Sequence, residues 1–415
     1  MLPPRSPFLR PALASALLSL VSAFATAQTV RVAAGPDPYT AGDEAALAAA
    51  GYVSLGPFPF GTNQTSMTIE GLLGTEPIAW IETAHFRIGC ALAPLDLKGR
   101  EEWSKDWIKL VRAELKELKK VLPTVNPKTK HLDAWLRAHL VAWRLEQLYT
   151  QVLANLGLRD EWFPDEAGDP HDAEGFRGLG PYMGMKNKFT VLLLQQASSH
   201  ARYTRAFQGF EMTEPTRWHD VEFGAMYWSC SEETANGLFR IDFALYAHLA
   251  FNVAHNLYTG YRCFGHDLPA WVSTGLGHWH ARQVSPRFPT YDRRDETDRD
   301  PRSAFWEWEK RVHGLTKNDV FEPLDTFLDR PSAGDYGLEQ HIQAWALIDY
   351  LLANKRAATF RFLHQLKAPF HARMRMPTEQ ELQQRQRDAW QEAFDCDAAG
   401  LEQAWRDHVL EKRPR

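Results

Sequence analysis

The hydrophobic period of this chain changes once, at about Ser231, and that change limits the folds open to it more than any other feature. Before Ser231, three short runs read as strands: residues 81–90 (IETAHFRIGC), 188–195 (KFTVLLLQ) and 224–230 (GAMYWSC). Between them, Trp103, Trp107, Leu110, Val111, Leu115 and Leu118 recur at helical spacing over residues 100–122, with Pro123 as the stop. A second helical pattern runs over 131–156 and closes at Gly157, and the polar, Gly- and Pro-punctuated stretch 159–187 reads as loop. After Ser231 only helical patterns occur, over residues 234–258, 269–283, 339–353, 357–366 and 401–410. No Ser/Gly linker separates the halves, so the expectation is one α+β domain with a mixed lobe at 81–230, holding a small mixed sheet, and a helical lobe at 231–415. Residues 28–80, rich in Gly, Pro, Thr and Ala, hold no sustained period and read as an N-terminal extension.

Residues 1–27 read as a signal peptide. Arg5 and Arg10 precede the apolar run 11–24, and Ala25-Thr26-Ala27 supplies small residues for cleavage before Gln28. The run is too short to span a bilayer, and no later stretch offers roughly 18 uninterrupted apolar residues, so a secreted or periplasmic protein without an integral membrane segment is expected. Loss of the two arginines takes the net charge from −5 to −7, which excludes the basic footprint of a nucleic-acid binder. Cys90, Cys230, Cys263 and Cys396 form no CxxC pair. In an oxidising compartment they are either free buried thiols or disulfides, and Cys90 with Cys230 is the preferred pair because each ends a strand-like run.

Chemistry concentrates in residues 248–281 (HLAFNVAHNLYTGYRCFGHDLPAWVSTGLGHWHA). The pieces Ala254-His255-Asn256-Leu257, Leu268-Pro269-Ala270-Trp271-Val272 and Gly275-Leu276-Gly277-His278-Trp279 resemble the two motif helices of the peptidase-MA-like gluzincins, zinc peptidases of bacterial envelopes. Residues 83–88 (TAHFRI) and 341–352 (HIQAWALIDYLL) are similar to that family's opening strand and cleft-covering helix, and Ala393-Phe394-Asp395 with residues 401–405 (LEQAW) to its closing helices. The resemblance implies a zincin-like fold from about residue 81 to the C-terminus.

In that family, two His one helical turn apart and a Glu from the second helix hold zinc, and a Glu beside the first His acts as base. Position by position, the first His falls on Phe251, the base on Asn252, the second His on His255, the third ligand on Thr274, and a downstream Tyr on His341. Phe offers no donor, Asn has no proton affinity near neutral pH, and Thr is a poor zinc ligand. The resemblance therefore implies a remnant site without catalytic residues, metal or cofactor, with a polypeptide or envelope polymer as partner. Two rivals stay open: a metallohydrolase that has rebuilt a zinc site from His255, His278 and His341, and a carbohydrate binder using Trp306 and Trp308. His248 and His255 lie about 10 Å apart along a helix axis and cannot share one ion, and His278 and His280 point to opposite sides. Without the resemblance, His255 on an apolar helix reads as a hydrogen-bonded core residue.

Overall fold

The computed structural model describes residues 34–74, 76–99, 102–172, 175–288, 290, 307–334, 336–370 and 376–412. In chain order the first half holds α1 (Glu44–Ala49), β1 (Tyr52–Ser54), β2 (Pro59–Gly61), β3 (Gln64–Thr65), α2 (Ser66–Leu73), β4 (Ala79–Thr83), β5 (Phe86–Cys90) and β6 (Leu95–Asp96). Then come α3 (Glu102–Val121), β7 (His131–Leu132), α4 (Ala134–Leu156), β8 (Phe189–Leu194), α5 (Ala197–Phe207), β9 (Thr216–Asp220) and β10 (Ala225–Ser231). The second half opens with α6 (Thr234–Gly237), α7 (Asp242–Gly260) and α8 (Ala270–Val284), followed by helices Trp308–Lys317, Leu324–Leu328, Leu338–Asn354, Arg356–Leu366, Glu379–Phe394 and Ala398–Glu411. The architecture is α+β, as the change of period at Ser231 implies.

Six strands form a mixed sheet in the order β1-β4-β5-β8-β10-β9, with β5, β8 and β10 parallel and the strands outside them antiparallel. Every residue of β8 and β10 is buried, because the sheet is covered on both faces. Val191 and Leu193 of β8 share one face with Met226 and Trp228 of β10 and pack with α4 and α7 residues, whereas Leu192, Leu194 and Tyr227 meet Phe58, Phe60 and Tyr203 on the other. The continuous apolar run in residues 188–195 reflects that double burial.

Local signals set the helix ends. Asp133 caps α4 by accepting from the Leu136 amide, and Gly157 closes it at φ 66°, a left-handed conformation that favours glycine. At α8, Gly275 and Gly277 permit close approach: a Cβ at Gly275 would lie 2.5 Å from the Ala344 carbonyl of helix Leu338–Asn354, and one at Gly277 would lie 2.8 Å from the Phe251 ring of α7.

Several expectations need correction. Residues 81–90 are not one strand but the end of β4, a turn at Ala84-His85, and β5, which together form a hairpin. The helix expected over 234–258 breaks at Gly237, φ 80°, and resumes at Asp242. The described part of 28–80 is integral to the sheet through β1, and Asp37 there binds buried His139 of α4 at 3.1 Å; its elements are too short to show a period. Cys90 and Cys230 are not disulfide-bonded. Both are register partners of Leu193, one on each side of β8. Two strand spacings, about 9.6 Å, exceed the roughly 7 Å limit between bridged Cα atoms. All four cysteines are free. The signal segment and Trp306 lie outside the described residues, within which no helix is long and apolar enough to cross a membrane.

Candidate functional site

Phe251, His255 and Thr259 recur every fourth residue of α7 and form one stripe about 12 Å long, with Asn252 and Asn256 beside it. Alpha7 lies where the two halves of the chain meet, packed on β10, α4 and α8. Its stripe borders a cleft of about 650 Å³, also lined by Thr274 and Ser273 of α8, His341 of helix Leu338–Asn354, Tyr336, Phe264, Asp267 and residues 331–334. Four of the five positions singled out from the sequence thus reach one cleft: Phe251, His255, Thr274 and His341.

The fifth, Asn252, turns toward β9. It accepts from Arg217 Nη1 at 2.9 Å and donates Nδ2 to the His248 carbonyl at 3.0 Å, so the amide where a base would stand is held as a bracket between strand and helix. The phenyl ring of Phe251 packs at 4.8 Å from the His278 ring. Burial, with the Arg217 guanidinium adding to it, holds the His255 imidazole well below the ordinary histidine range. One neutral imidazole beside a phenyl ring and a threonine hydroxyl is not a zinc donor set.

His278 and His341 do meet, through a 3.0 Å hydrogen bond between Nε2 and Nδ1, and His278 Nδ1 bonds the Thr290 hydroxyl at 2.9 Å. Burial is the main cause that keeps His278 well below the usual range, and His341 and Arg282 add to it. Both ring nitrogens of His278 are thereby engaged within the protein. Among the described residues no group of three or more His, Cys, Asp or Glu side chains is placed to hold a metal ion. His280 turns away from His278, to the Tyr258 hydroxyl at 3.1 Å. Trp308 is not an exposed sugar platform: it is 2% exposed, between His278, Trp345 and the Arg282 guanidinium.

The cleft's other wall is not legible in the sequence. Beta9 is the last strand of the sheet, and Arg217, Trp218 and His219 all line the cleft. Consecutive strand side chains point to opposite faces, and Trp218 indeed pairs with Tyr227 on the far face while Arg217 and His219 pair with Trp228 and Met226 on the α7 face. A cleft touching all three therefore runs along the strand's edge. The run TRWHD gives little sign of this, since an edge strand with polar residues on both faces lacks clean alternation.

No family model matches this chain, and no curated protein or solved structure does.

Proposed function

We propose that this chain is an exported, zincin-like protein that has lost peptidase chemistry and binds extended polypeptide in the cleft between β9 and α7. The observation that carries this reading is the strand edge itself: β9 ends the sheet alongside the cleft, and an open edge accepts a peptide as an added strand through main-chain hydrogen bonds. Arg217, Trp218 and His219 would set its register, and the α7 stripe would receive the side chains that point inward. The replacement of ligand and base positions by Phe251, Asn252 and Thr274 supports the loss of hydrolysis, since a phenyl ring offers no donor, an amide is no base near neutral pH and a threonine hydroxyl is a poor zinc ligand. Burial of Trp308 removes that side chain as a platform for the carbohydrate reading.

Two measurements on the purified mature protein test it. Fluorescent peptide pools should bind, and the same pools N-methylated on alternate amides should lose most of their affinity, because strand addition depends on backbone donors. Binding indifferent to N-methylation would remove the strand-addition reading. Elemental analysis should find no stoichiometric zinc; tight zinc lost on His255→Ala would replace this reading with the rebuilt-site hydrolase.

A further inference from the structure

The end of the cleft beyond His255 has a chemistry of its own. His219 of β9 is the register partner of Met226, and Asn256 of α7 donates Nδ2 to the carbonyl of the next residue, Tyr227, at 2.8 Å. Thr259 follows Asn256 by three residues on the same helix face, and the His219 ring lies 4.5 Å from that of Phe264. Beta9 and α7 advance together: two strand residues from Arg217 to His219 span about 6.8 Å, and four helix residues from Asn252 to Asn256 about 6 Å. The Arg217 to Asn252 bond at one end therefore places His219 beside Asn256 and Thr259 at the other, and all of these but Asn252 line the cleft.

Three polar atoms there have no hydrogen-bond partner although they are buried: His219 Nδ1, Asn256 Oδ1 and Thr259 Oγ1. His255 Nδ1, one turn back, is a fourth. Thr259 is 0% and Asn256 2% exposed, so neither is merely turned to solvent. Buried polar atoms in folded proteins are almost always paired, and a cluster of exceptions along one cleft marks where a partner belongs.

The atoms also specify that partner. One amide hydrogen of Asn256 is committed to Tyr227 and its Oδ1 is left as an unpaired acceptor, while the Thr259 hydroxyl and an imidazole N–H supply donors. Burial, with the Lys367 ammonium adding to it and Asp220 opposing, holds His219 down to about 4, so this imidazole is uncharged near neutral pH. A carboxylate would face the Asn256 oxygen, and an alkyl group would leave every atom unpaired. The carboxylates a cationic ligand would meet are already engaged: Asp267 on the cleft wall interacts with the buried Lys367 ammonium, and Asp220, next to His219, accepts from the Thr62 amide and hydroxyl.

Resting on the polypeptide reading above, we propose that the His219–Asn256–Thr259 end of the cleft is a specificity pocket for a carboxamide side chain, Gln or Asn, of the bound polypeptide. The carboxamide NH2 donates to Asn256 Oδ1, and its carbonyl accepts from Thr259 Oγ1 or from an imidazole N–H.

The test uses peptide pools with Gln, Glu, Lys or Leu fixed at the central position, titrated against the full mature protein by fluorescence anisotropy. The Gln pool should bind about tenfold more tightly than the Leu or Glu pool. Thr259→Val keeps shape and removes the hydroxyl, and His219→Phe keeps a ring against Phe264 and removes the nitrogens. Each should cut the Gln preference about fivefold while leaving the Leu pool nearly unchanged. Circular dichroism establishes that each variant is folded, and either variant alone suffices. Equal binding of all four pools overturns the carboxamide pocket but leaves polypeptide binding standing. Absence of binding by any pool overturns both, and capture of a glycan instead would reassign the cleft to hydroxyl-rich ligands. Unchanged Gln preference in both variants overturns the assignment to these residues.

Discussion

Arg217 of the sheet's edge strand donates to Asn252 of α7 across 2.9 Å, at the position where the gluzincin resemblance expects a catalytic base. That bond ties strand to helix through a side-chain amide, and it bears on any attempt to install a zinc site here. In the triple variant Phe251→His, Asn252→Glu, Thr274→Glu, the carboxylate introduced in place of the Asn252 amide would be drawn into an ion pair with Arg217. Zinc uptake is expected from the two rebuilt ligands with His255, read as about one zinc per chain by elemental analysis. Hydrolysis should stay near background until Arg217 is also replaced, because a paired carboxylate is a weak base. Failure of the triple variant to bind zinc while folded would mean that α7 and α8 do not hold zincin geometry.

His85, in the turn between β4 and β5, bridges Glu146 at 2.7 Å and Asp160 at 2.8 Å and stacks on Tyr149 at 3.7 Å between ring centroids. Although burial opposes protonation, hydrogen bonds and attraction to the two carboxylates outweigh it and raise this imidazole from 6.5 to about 9. A raised pKa contributes stability that is fully present below 6.5 and is lost as pH rises through 9. The loss should amount to about 2 kcal/mol, with the half-exposed Asp160 discounted for solvent screening. Denaturant titrations from about pH 6 to about pH 10 should show that decline in the native chain and a flatter profile in His85→Gln. Parallel profiles would separate this cluster from the pH dependence.

Thiol chemistry gives a direct check on the sheet register. With Cys90 and Cys230 on opposite sides of Leu193, the unfolded, non-reduced protein should yield four titratable thiols. Reductant should leave the melting temperature unchanged. A Cys90–Cys230 disulfide found by peptide mapping of the non-reduced protein would contradict the register.

The legible parts of the fold are those where period and capping agree. Alpha4 ends at Gly157 as its sequence implies, and the double-sided burial of β8 shows in its unbroken apolar run. Helix Glu379–Phe394 carries little apolar signal, because its buried side chains are Gln386, Ala389, Trp390, Ala393 and Phe394 and nearly all the others are charged or amide. At the cleft, residues on one helix are legible because i and i+4 neighbours share a face, so Phe251 and His255 can be placed together. Arg217, His219 and Thr259 are not, since the first two lie on a strand about 35 residues before the α7 positions they meet, and Thr259 reads as an ordinary core hydroxyl.

Alpha8 supplies a sharper stability test, because two glycines in helices of the same chain should respond with opposite sign. Alanine is the better helix former by about 1 kcal/mol, so Gly→Ala in an open helical position stabilises. Gly314, within helix Trp308–Lys317, has no atom within 4 Å of an added Cβ, and Gly314→Ala should raise stability by up to about 1 kcal/mol. Gly275 faces the Ala344 carbonyl at 2.5 Å and Ile348 at 2.5 Å, and the carbonyl belongs to backbone that cannot rotate away. Gly275→Ala must push α8 from helix Leu338–Asn354, and the overpacking should cost about 2–3 kcal/mol after the propensity gain is subtracted. Because His341 on that helix and Thr274 on α8 both line the cleft, the same displacement should weaken peptide binding, whereas Gly314→Ala should not. Chemical denaturation and peptide titration of the two variants read both effects. A stabilising Gly275→Ala would show that the two helices do not touch at this position, and with it would go the contact that sets the width of the cleft.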